Sequence, residues 1–548
     1  MTVVLDSLVG LALLGALLAL PCHLLGGYLH RVLTSERDTA LETAVYRVVG
    51  VDPRTEQRWS AYLASVLAFA VASVAGLFLL IMGQSWLPFG LGRSMDWHTA
   101  LNTAVSFTTN TNWQSYSGED AAGHTVQAAG LTVQNFVSAA TGIAVAAALL
   151  RGLARSRGER LGNFWVDLTR VSLRVLLPIS VLGAVLLMLG GVVQNLGGGV
   201  LVRAADGVER LVPGGPVASQ EAIKLLGTNG GGFFNANSAH PFENPTPWTN
   251  VLEICLILLI PFALTRTAGL MLGNPRQGLL IGGVMAALLT GSVVVTAWAE
   301  GQLATTATGA MEGKEQRFGV VWSVLFGAVT TGTSTGAVNS MHDSYSPLGG
   351  GMLLTNMLLG EVSPGGVGSG LYGLLVMAVI TVFLSGLMVG RTPELLGKSI
   401  GRREITMAAL CSLVMPALVL GLSAITLALP EGRAAMANTG SHGFSEVLYA
   451  YASAANNNGS AFAGLGATTP WFTLSLALAM FVGRFAVIAL VLALAGLLVV
   501  QPRREAGAGT LATDTPLFGV LLVGVVLLLA GLTFFPALSL GPIGEALS

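Results

Sequence analysis

The chain has 548 residues, of which 53% are hydrophobic and only 10% are charged, and its formal net charge at pH 7 is −1. Soluble domains carry about 25% charged residues, so this composition excludes an ordinary soluble enzyme and is typical of a membrane protein. The near-neutral balance of charge does not indicate a nucleic-acid partner or an acidic surface as partner.

Ten apolar runs are long enough to cross a bilayer, which takes about 20 residues. They cover residues 3–29, 60–82, 125–150, 172–194, 247–272, 277–299, 349–390, 405–429, 469–500 and 516–538. The seventh run is interrupted at 360–370, where Pro364 and clustered glycines cannot continue a helix. The sequence therefore predicts an all-α integral membrane protein with ten transmembrane helices, one of them broken.

The basic residues predict how the chain is oriented in the membrane. Of the 27 Lys and Arg residues, 19 lie in alternate loops at 30–59, 151–174, 265–277, 390–404 and 501–505. The other loops hold seven, and Arg484 lies within the ninth apolar run. Because cytoplasmic loops carry an excess of Lys and Arg, we expect the basic loops in the cytoplasm and both termini on the extracytoplasmic side.

Four short stretches rich in Gly, Asn, Ser or Thr recur at roughly hundred-residue spacing on the predicted outer side, which indicates an internal repeat. They lie at 108–114, 226–245, 330–337 and 454–461. Each follows an apolar run too short to span, which predicts re-entrant half-helices at 98–107, 219–226, 319–329 and 444–453. One such stretch alone is as well explained by a flexible outer loop. Four of them favour a pore whose backbone carbonyls replace the water shell of a cation, and helix C-termini also favour cations.

The unit of helix, half-helix, filter loop and helix occurs four times, with one extra helix at each end of the chain. The predicted divisions are an N-terminal helix and cytoplasmic loop, four pore repeats, the third with the broken helix, and a C-terminal helix. Their limits are 1–59, 60–160, 161–274, 275–400, 401–505 and 506–548.

Glu361 and Arg484 lie well inside predicted spans, where a charge is costly and indicates function by default. Glu361 is expected either to face an ion path or to be an interfacial acid on a displaced loop. Arg484 is expected either near the ion path or as the structural partner of an acid or of carbonyl groups. Outside the spans, His342 and Asp343 are expected to form a hydrogen-bonded pair.

The chain has no P-loop motif, and no stretch between its apolar runs exceeds about 40 residues, well below the usual size of a domain. A phosphorylated aspartate would need such a domain. We therefore expect no nucleotide site and no enzymatic activity in this chain alone.

The residues at 227–245, which read GTNGGGFFNANSAHPFENP, resemble the signature of the KdpA family, the potassium-binding subunits of the bacterial Kdp potassium-transporting ATPase. The stretches 109–116, 341–344 and 456–465 also resemble this family, and the resemblance spans essentially the whole chain. One departure lies at 334–336, where the family is expected often to have Cys at the middle position. Threonine there still supplies an oxygen, so the departure puts little in doubt.

The resemblance implies the fold of the superfamily of K⁺ transporters, with K⁺ as the transported ion. It implies a non-catalytic subunit of the bacterial inner membrane that works with KdpB, a P-type ATPase, and with KdpC and KdpF. By motif match the filter residues are Asn110, Thr111, Asn112, Thr228, Asn229, Gly230, Ser334, Thr335, Gly336, Asn457, Asn458 and Gly459.

The resemblance also implies roles around that filter. Gln114 would support its first segment, and Glu361 would lie below it, near a tunnel that leads towards KdpB. Glu361 and Arg484 are accordingly candidates for the ion path or its gate. On physical grounds alone, a stand-alone potassium channel or a cation-coupled carrier of the same fold remains open. A transporter of an uncharged or anionic solute is disfavoured, because the half-helices point their C-termini at the loops and anions prefer helix N-termini.

Overall fold

The computed structural model describes residues 1–203, 205–303, 311–390, 393–503 and 511–548. Ten of its helices are long and apolar enough to cross a membrane: Thr2–Thr34, Trp59–Met82, Val126–Ala154, Phe164–Leu189, Pro247–Met271, Pro275–Gln302, Ser369–Met388, Arg402–Ala428, Pro470–Val500 and Pro516–Leu540. They confirm the all-α membrane fold and the ten predicted runs. The predicted division between residues 505 and 506 lies outside the described residues.

The fourth long helix begins earlier than the sequence indicates, at Phe164 instead of residue 172. Asn163 caps it by accepting a hydrogen bond from a backbone N–H. Arg170 and Arg174, which were expected in the preceding loop, lie inside this helix. They form ion pairs with Asp38 and Glu42 respectively. Because these pairs offset the cost of burying charge, the helix continues through residues that a hydropathy argument assigns to a loop.

Four shorter helices coincide with the predicted half-helices. We call them pore helices one to four: Trp97–Thr108, Val217–Leu226, Gly319–Gly332 and Gly440–Asn456. None is as long as the roughly 20 residues that a bilayer requires. Each runs directly into one of the Gly- and Asn-rich stretches.

The seventh predicted span is broken, as the sequence indicates. Pro347–Leu358 and Ser369–Val389 are separate helices, and residues 359–368 between them form a non-helical segment that we call the intramembrane loop. Gly368 in this loop has a φ of +86°, which glycine adopts without strain. A Cβ atom on Gly368 would clash with the carbonyl of Gly142, so the loop lies directly on the backbone of a neighbouring helix.

That neighbour, Val126–Ala154, lies at the centre of the molecule. Within its most apolar 18-residue window 89% of the residues are buried, compared with 11% for Arg402–Ala428. The contrast identifies a central helix enclosed by protein and a peripheral helix that leaves its apolar face for lipid.

The remaining elements are short. Two antiparallel hairpins pair Val200–Arg203 with Glu209–Val212 and Glu394–Leu395 with Lys398–Ser399. Short helices form at Ala40–Val49, Gly118–Ala121, Pro430–Ala434 and Pro542–Leu547, with single 3₁₀ turns at Gln84–Trp86, Asn237–Ala239 and His342–Ser344. Wider, π-type turns occur inside two of the long helices, at Val126–Thr132 and Val171–Leu176.

Candidate ion-binding site

The four Gly- and Asn-rich stretches meet at one point, which is defined by Gly230. A Cβ atom added to Gly230 would lie 2.6 Å from the carbonyl oxygen of Thr111, 2.9 Å from that of Asn458 and 3.0 Å from that of Thr335. These oxygens belong to three different repeats, and Gly230 belongs to another. The structure therefore brings carbonyl groups from all parts of the chain to one small volume.

The four segments share one backbone conformation. We number them one to four: 110–112, 228–230, 334–336 and 457–459. In each, the middle residue donates its backbone N–H to the carbonyl five residues earlier, over 3.0, 2.8, 3.1 and 2.9 Å respectively. The first residue of each has a positive φ, between 46° and 69°. This is the ending in which a left-handed residue closes a helix, so each pore helix turns in the same way into its segment.

Side chains at the first positions link one segment to the next. The Asn110 amide donates to the carbonyl of Thr228 over 2.8 Å, and the Ser334 hydroxyl donates to the carbonyl of Asn457 over 3.0 Å. Asn457 in turn donates to the Thr111 hydroxyl over 3.0 Å, which connects the last segment to the first. Non-glycine residues with positive φ are uncommon, and these links help to hold four of them in that conformation.

The intramembrane loop lies against the ends of the pore helices. The backbone N–H groups of Ser363 and Gly365 both donate to the carbonyl of Gly332, over 3.2 and 2.8 Å. The N–H of Val367 donates to the Thr228 hydroxyl over 3.0 Å. The loop thus holds the third pore helix and the second segment together.

The site offers uncharged oxygen atoms as ligands. None of the twelve residues in the four segments is charged, and the groups that converge are carbonyl oxygens. Rings of backbone carbonyls can replace the hydration shell of a cation, and the C-terminal ends of four pore helices add partial negative charge. The arrangement therefore suits a dehydrated monovalent cation.

Gln114 bonds to the chain that follows the second segment. Its amide oxygen accepts a hydrogen bond from the backbone N–H of Gly232 over 2.9 Å, and its amide nitrogen donates to the Tyr116 hydroxyl over 3.1 Å. The chain after segment one therefore runs beside the chain after segment two. The expected support of the first segment by Gln114 stays a prediction.

A buried ionic cluster that was not predicted from the sequence lies next to the second segment. The Lys224 ammonium lies 2.6 Å from the carboxylate of Glu221 and 3.2 Å from that of Glu243. All three side chains are at most 1% exposed. A lysine three residues after a glutamate, inside an otherwise apolar half-helix, is the signal that would have indicated it.

This cluster holds the chain that follows segment two. Glu243 accepts a hydrogen bond from the backbone N–H of Phe234 over 2.7 Å. Lys224 donates to the amide oxygen of Asn237 over 3.0 Å, and the Asn237 amide nitrogen donates to the carbonyl of Gly231. Charged groups thus position a glycine-rich backbone that has little structure of its own.

Glu361 lies in the intramembrane loop and is 3% exposed. Its carboxylate accepts a hydrogen bond from the Asn458 amide over 2.8 Å, so its partner is a side chain of the fourth segment. This burial does not fit the alternative that Glu361 is an interfacial acid on a displaced loop. Its expected role in an ion path stays a prediction.

Arg484 is also buried, with 4% exposure. Its guanidinium donates to the carbonyl of Ser138 over 3.4 Å, which matches the reading that made it a partner of carbonyl groups. It also lines a cavity of about 170 Å³ together with Gly360 and Asn457. Arg484 therefore lies between the fourth segment and the intramembrane loop.

The expected pair of His342 and Asp343 does not form. The His342 ring contacts the Tyr449 hydroxyl over 2.8 Å, and Asp343 contacts His442 over 2.9 Å. Adjacent residues on a tight turn point in different directions, so each finds a partner from pore helix four instead.

His442 joins three parts of the chain. Its two ring nitrogens lie 2.9 Å from Asp343 and 2.9 Å from Glu545, near the C-terminus. These hydrogen bonds raise the pKa of His442 to about 10. Asp343, His442 and Glu446 have ligand atoms within 4.8 Å of one another, but Glu446 already accepts hydrogen bonds from the backbone N–H groups of Ala437 and Asn438. The group therefore fits a structural link better than a metal site.

The sequence is similar to known proteins over its whole length. The model of the family described as potassium-transporting ATPase A subunit matches residues 12–547. A Streptomyces coelicolor protein named potassium-transporting ATPase potassium-binding subunit is 58% identical over 553 aligned positions, with 100% of both chains covered. Proteins of the same name from Clavibacter sepedonicus and Mycobacterium avium are each 57% identical, with 96% and 99% of both chains covered.

The fold is similar to a solved structure as well. The potassium transporter TrkH from Vibrio parahaemolyticus aligns with a TM-score of 0.54 and 14% identity, covering 86% of this chain and 97% of that one. At this level of identity the likeness shows the fold alone.

Proposed function

The chain belongs to the potassium-transporting ATPase A subunit family, and on that premise we propose that its four segments form a pseudo-fourfold filter that binds K⁺ from the extracytoplasmic side. The filter residues are those at 110–112, 228–230, 334–336 and 457–459. Membership of this family favours the subunit of an ATP-driven pump over a stand-alone channel or carrier of the same fold.

One observation carries the proposal. The carbonyl oxygens of Thr111, Thr335 and Asn458 approach Gly230 from three repeats, and a Cβ on Gly230 would fall within 3.0 Å of each. Only glycine leaves that volume free for an ion. Four equivalent helix endings around it explain how a single chain builds a ring of ligands.

We further propose that the ion leaves sideways to a P-type ATPase subunit, KdpB, in a complex with KdpC and KdpF. This route is supported by the intramembrane loop, whose backbone N–H groups bond to the carbonyl of Gly332 in pore helix three and to the Thr228 hydroxyl, and which would obstruct a straight path from there. It is also supported by the cavity beside Arg484 and Gly360, which lies between that loop and the fourth segment. The complex would lie in the bacterial inner membrane, with both termini of this chain on the extracytoplasmic side. The chain itself would be divided into repeats at the limits predicted from the sequence.

The test is Gly230→Asp in the assembled complex. A side chain there fills the meeting point and adds a misplaced charge, so we expect weaker K⁺ binding and reduced discrimination against Rb⁺ and Na⁺. The measurement is cation-stimulated ATPase activity with each of the three ions. Gly207→Asp, in an exposed hairpin turn with a φ of +81° and free space around it, is the control.

An unchanged ion profile in the Gly230 variant would contradict the filter assignment. A separate measurement addresses the division of labour: the purified chain alone should show no K⁺-stimulated ATP hydrolysis. Sustained hydrolysis by the purified chain would contradict its role as a non-catalytic subunit.

A further inference from the structure

Five buried polar side chains form a continuous hydrogen-bonded series behind the fourth segment. The series runs from His342 to Tyr449 over 2.8 Å, to Ser460 over 2.8 Å, to Asn458 over 2.6 Å and to Glu361 over 2.8 Å. Each of these five residues is at most 3% exposed. We call this series the relay. It connects an outer loop with the intramembrane loop.

The orientation of Asn458 in the relay is fixed by its neighbours. Its amide oxygen accepts from the backbone N–H of Ser460 over 3.0 Å, and its amide nitrogen donates to the carbonyl of Thr330 over 3.1 Å. A backbone N–H can only donate and a carbonyl can only accept. The amide nitrogen therefore faces Glu361, and the amide oxygen faces the Ser460 hydroxyl.

The direction of every other bond in the relay follows. The Ser460 hydroxyl has one hydrogen, which goes to the Asn458 oxygen, so Ser460 must accept from Tyr449. Tyr449 has then used its own hydrogen and must accept from the Nδ1–H of His342. Burial, helped by the charge of Lys314, lowers the pKa of His342 to about 3, so the ring is neutral with its hydrogen on Nδ1. All donors thus point towards the Glu361 carboxylate.

The relay passes through the side chain of Asn458, a residue that also supplies one of the carbonyls at the meeting point of the four segments. The backbone oxygen of Asn458 is one of those that surround Gly230, and a Cβ on Gly336 would clash with it. With both ends of the Asn458 side chain bonded, its peptide group has little freedom to rotate. We propose, on the basis of the proposed filter, that His342, Tyr449 and Ser460 are positioning residues that set the direction of the Asn458 carbonyl and thereby tune cation selectivity.

Two features support a specific role for the relay over simple packing. Bonds that all run in one direction polarise one another, so the series holds Asn458 more firmly than isolated pairs would. The middle residues of segments one and three are held by shorter arrangements: the Thr111 hydroxyl bonds to Thr109 over 2.8 Å and accepts from Asn457, and the Thr335 hydroxyl bonds to Thr333 over 2.7 Å.

The test uses two matched tyrosines of pore helix four. Tyr449→Phe removes the central hydroxyl of the relay but keeps the ring that stacks on Phe462 at 4.3 Å. Tyr451→Phe is the control, since Tyr451 is equally buried and its hydroxyl also has two hydrogen-bond partners, the hydroxyls of Thr426 and Ser475. Neither of those partners belongs to the filter.

The measurement is ATPase activity of the assembled complex at varied K⁺ and Rb⁺. We expect Tyr449→Phe to change the half-saturating K⁺ concentration by about two- to tenfold, the range that corresponds to one net hydrogen bond, and to alter the Rb⁺/K⁺ ratio. Tyr451→Phe should keep the parent ratio. Ser460→Ala breaks the same relay at its next link and should reproduce the Tyr449 result if the Tyr449 variant does not assemble.

The outcomes separate this inference from the proposed filter. The inference is overturned if Tyr449→Phe and Ser460→Ala keep the parent ratio while Gly230→Asp changes it. It is also overturned if Tyr451→Phe shifts the ratio as much as Tyr449→Phe does. If Gly230→Asp itself leaves the ratio unchanged, the filter assignment fails first.

Discussion

The second and fourth segments have the same backbone conformation but are held by different chemistry. Behind the second segment, Lys224 is enclosed by the carboxylates of Glu221 and Glu243. Behind the fourth, the relay from His342 to Glu361 uses hydroxyl, imidazole and amide groups and has one carboxylate at its end. The helix ending therefore fixes the backbone shape of a segment, whereas the side chains that hold the segment in place differ from one repeat to the next.

Removing the lysine should have the largest effect. Lys224→Met leaves two carboxylates buried without their cation, and breaking a buried ionic cluster in this way costs about 3–5 kcal/mol. We expect a marked fall in thermal stability and in assembly of the complex. The measurement is thermal unfolding of the purified protein.

Lys398→Met is the control for that variant. Lys398 is also buried, but it donates to the carbonyls of Arg155 and Gln501, which are neutral acceptors. If Lys224→Met were no less stable than Lys398→Met, the contrast between an ionic and a neutral support would be lost.

A smaller effect is expected at the end of the relay. Glu361→Gln keeps an oxygen that can accept from Asn458 but removes the charge, so it should lower transport and leave selectivity close to that of the parent. Glu361→Ala leaves the Asn458 amide short of an acceptor, at a cost of about 1–3 kcal/mol, and should change selectivity too. Ion competition in the assembled complex distinguishes them. Equal selectivity in both variants would show that the hydrogen bond to Asn458 is unimportant.

The smallest effect concerns the link that anchors pore helix four. The pKa of His442 is raised in the folded state from 6.5 to about 10, chiefly by hydrogen bonds to Asp343 and Glu545. Its contribution to stability is therefore fully present below pH 6.5 and is lost as the pH rises through about 10. The difference in melting temperature between the parent and His442→Gln should shrink over that interval. A difference independent of pH would mean that the charge of His442 does not contribute.

The pore helices could be predicted from sequence, because each is a local pattern: an apolar run too short to span that leads into a stretch rich in Gly, Asn, Ser or Thr. The residues of the four segments within those stretches were located by the family resemblance. The start of the fourth long helix could not be predicted from sequence. Arg170 and Arg174 are tolerated inside it because they form ion pairs with Asp38 and Glu42, which are more than a hundred residues away.

The supports of the segments depend on tertiary neighbours and were therefore missed. The hydrogen bond from the N–H of Gly232 to Gln114, for example, joins two stretches more than a hundred residues apart, which no local pattern indicates. Nothing in the spacing of His342, Tyr449 and Ser460 indicates that they form a hydrogen-bonded series, because each comes from a different element of the structure.

The first positions of the four segments hold residues that are not all the same, namely Asn110, Thr228, Ser334 and Asn457, and the side chains of three of them link one segment to the next. In a pore built from four identical chains, one codon change alters every quarter of the ring at once. If the four segments form the proposed filter, a change here alters one quarter and leaves the other three intact. Ion preference in such a filter can then be adjusted in small steps, each of which leaves three quarters of the ring unchanged.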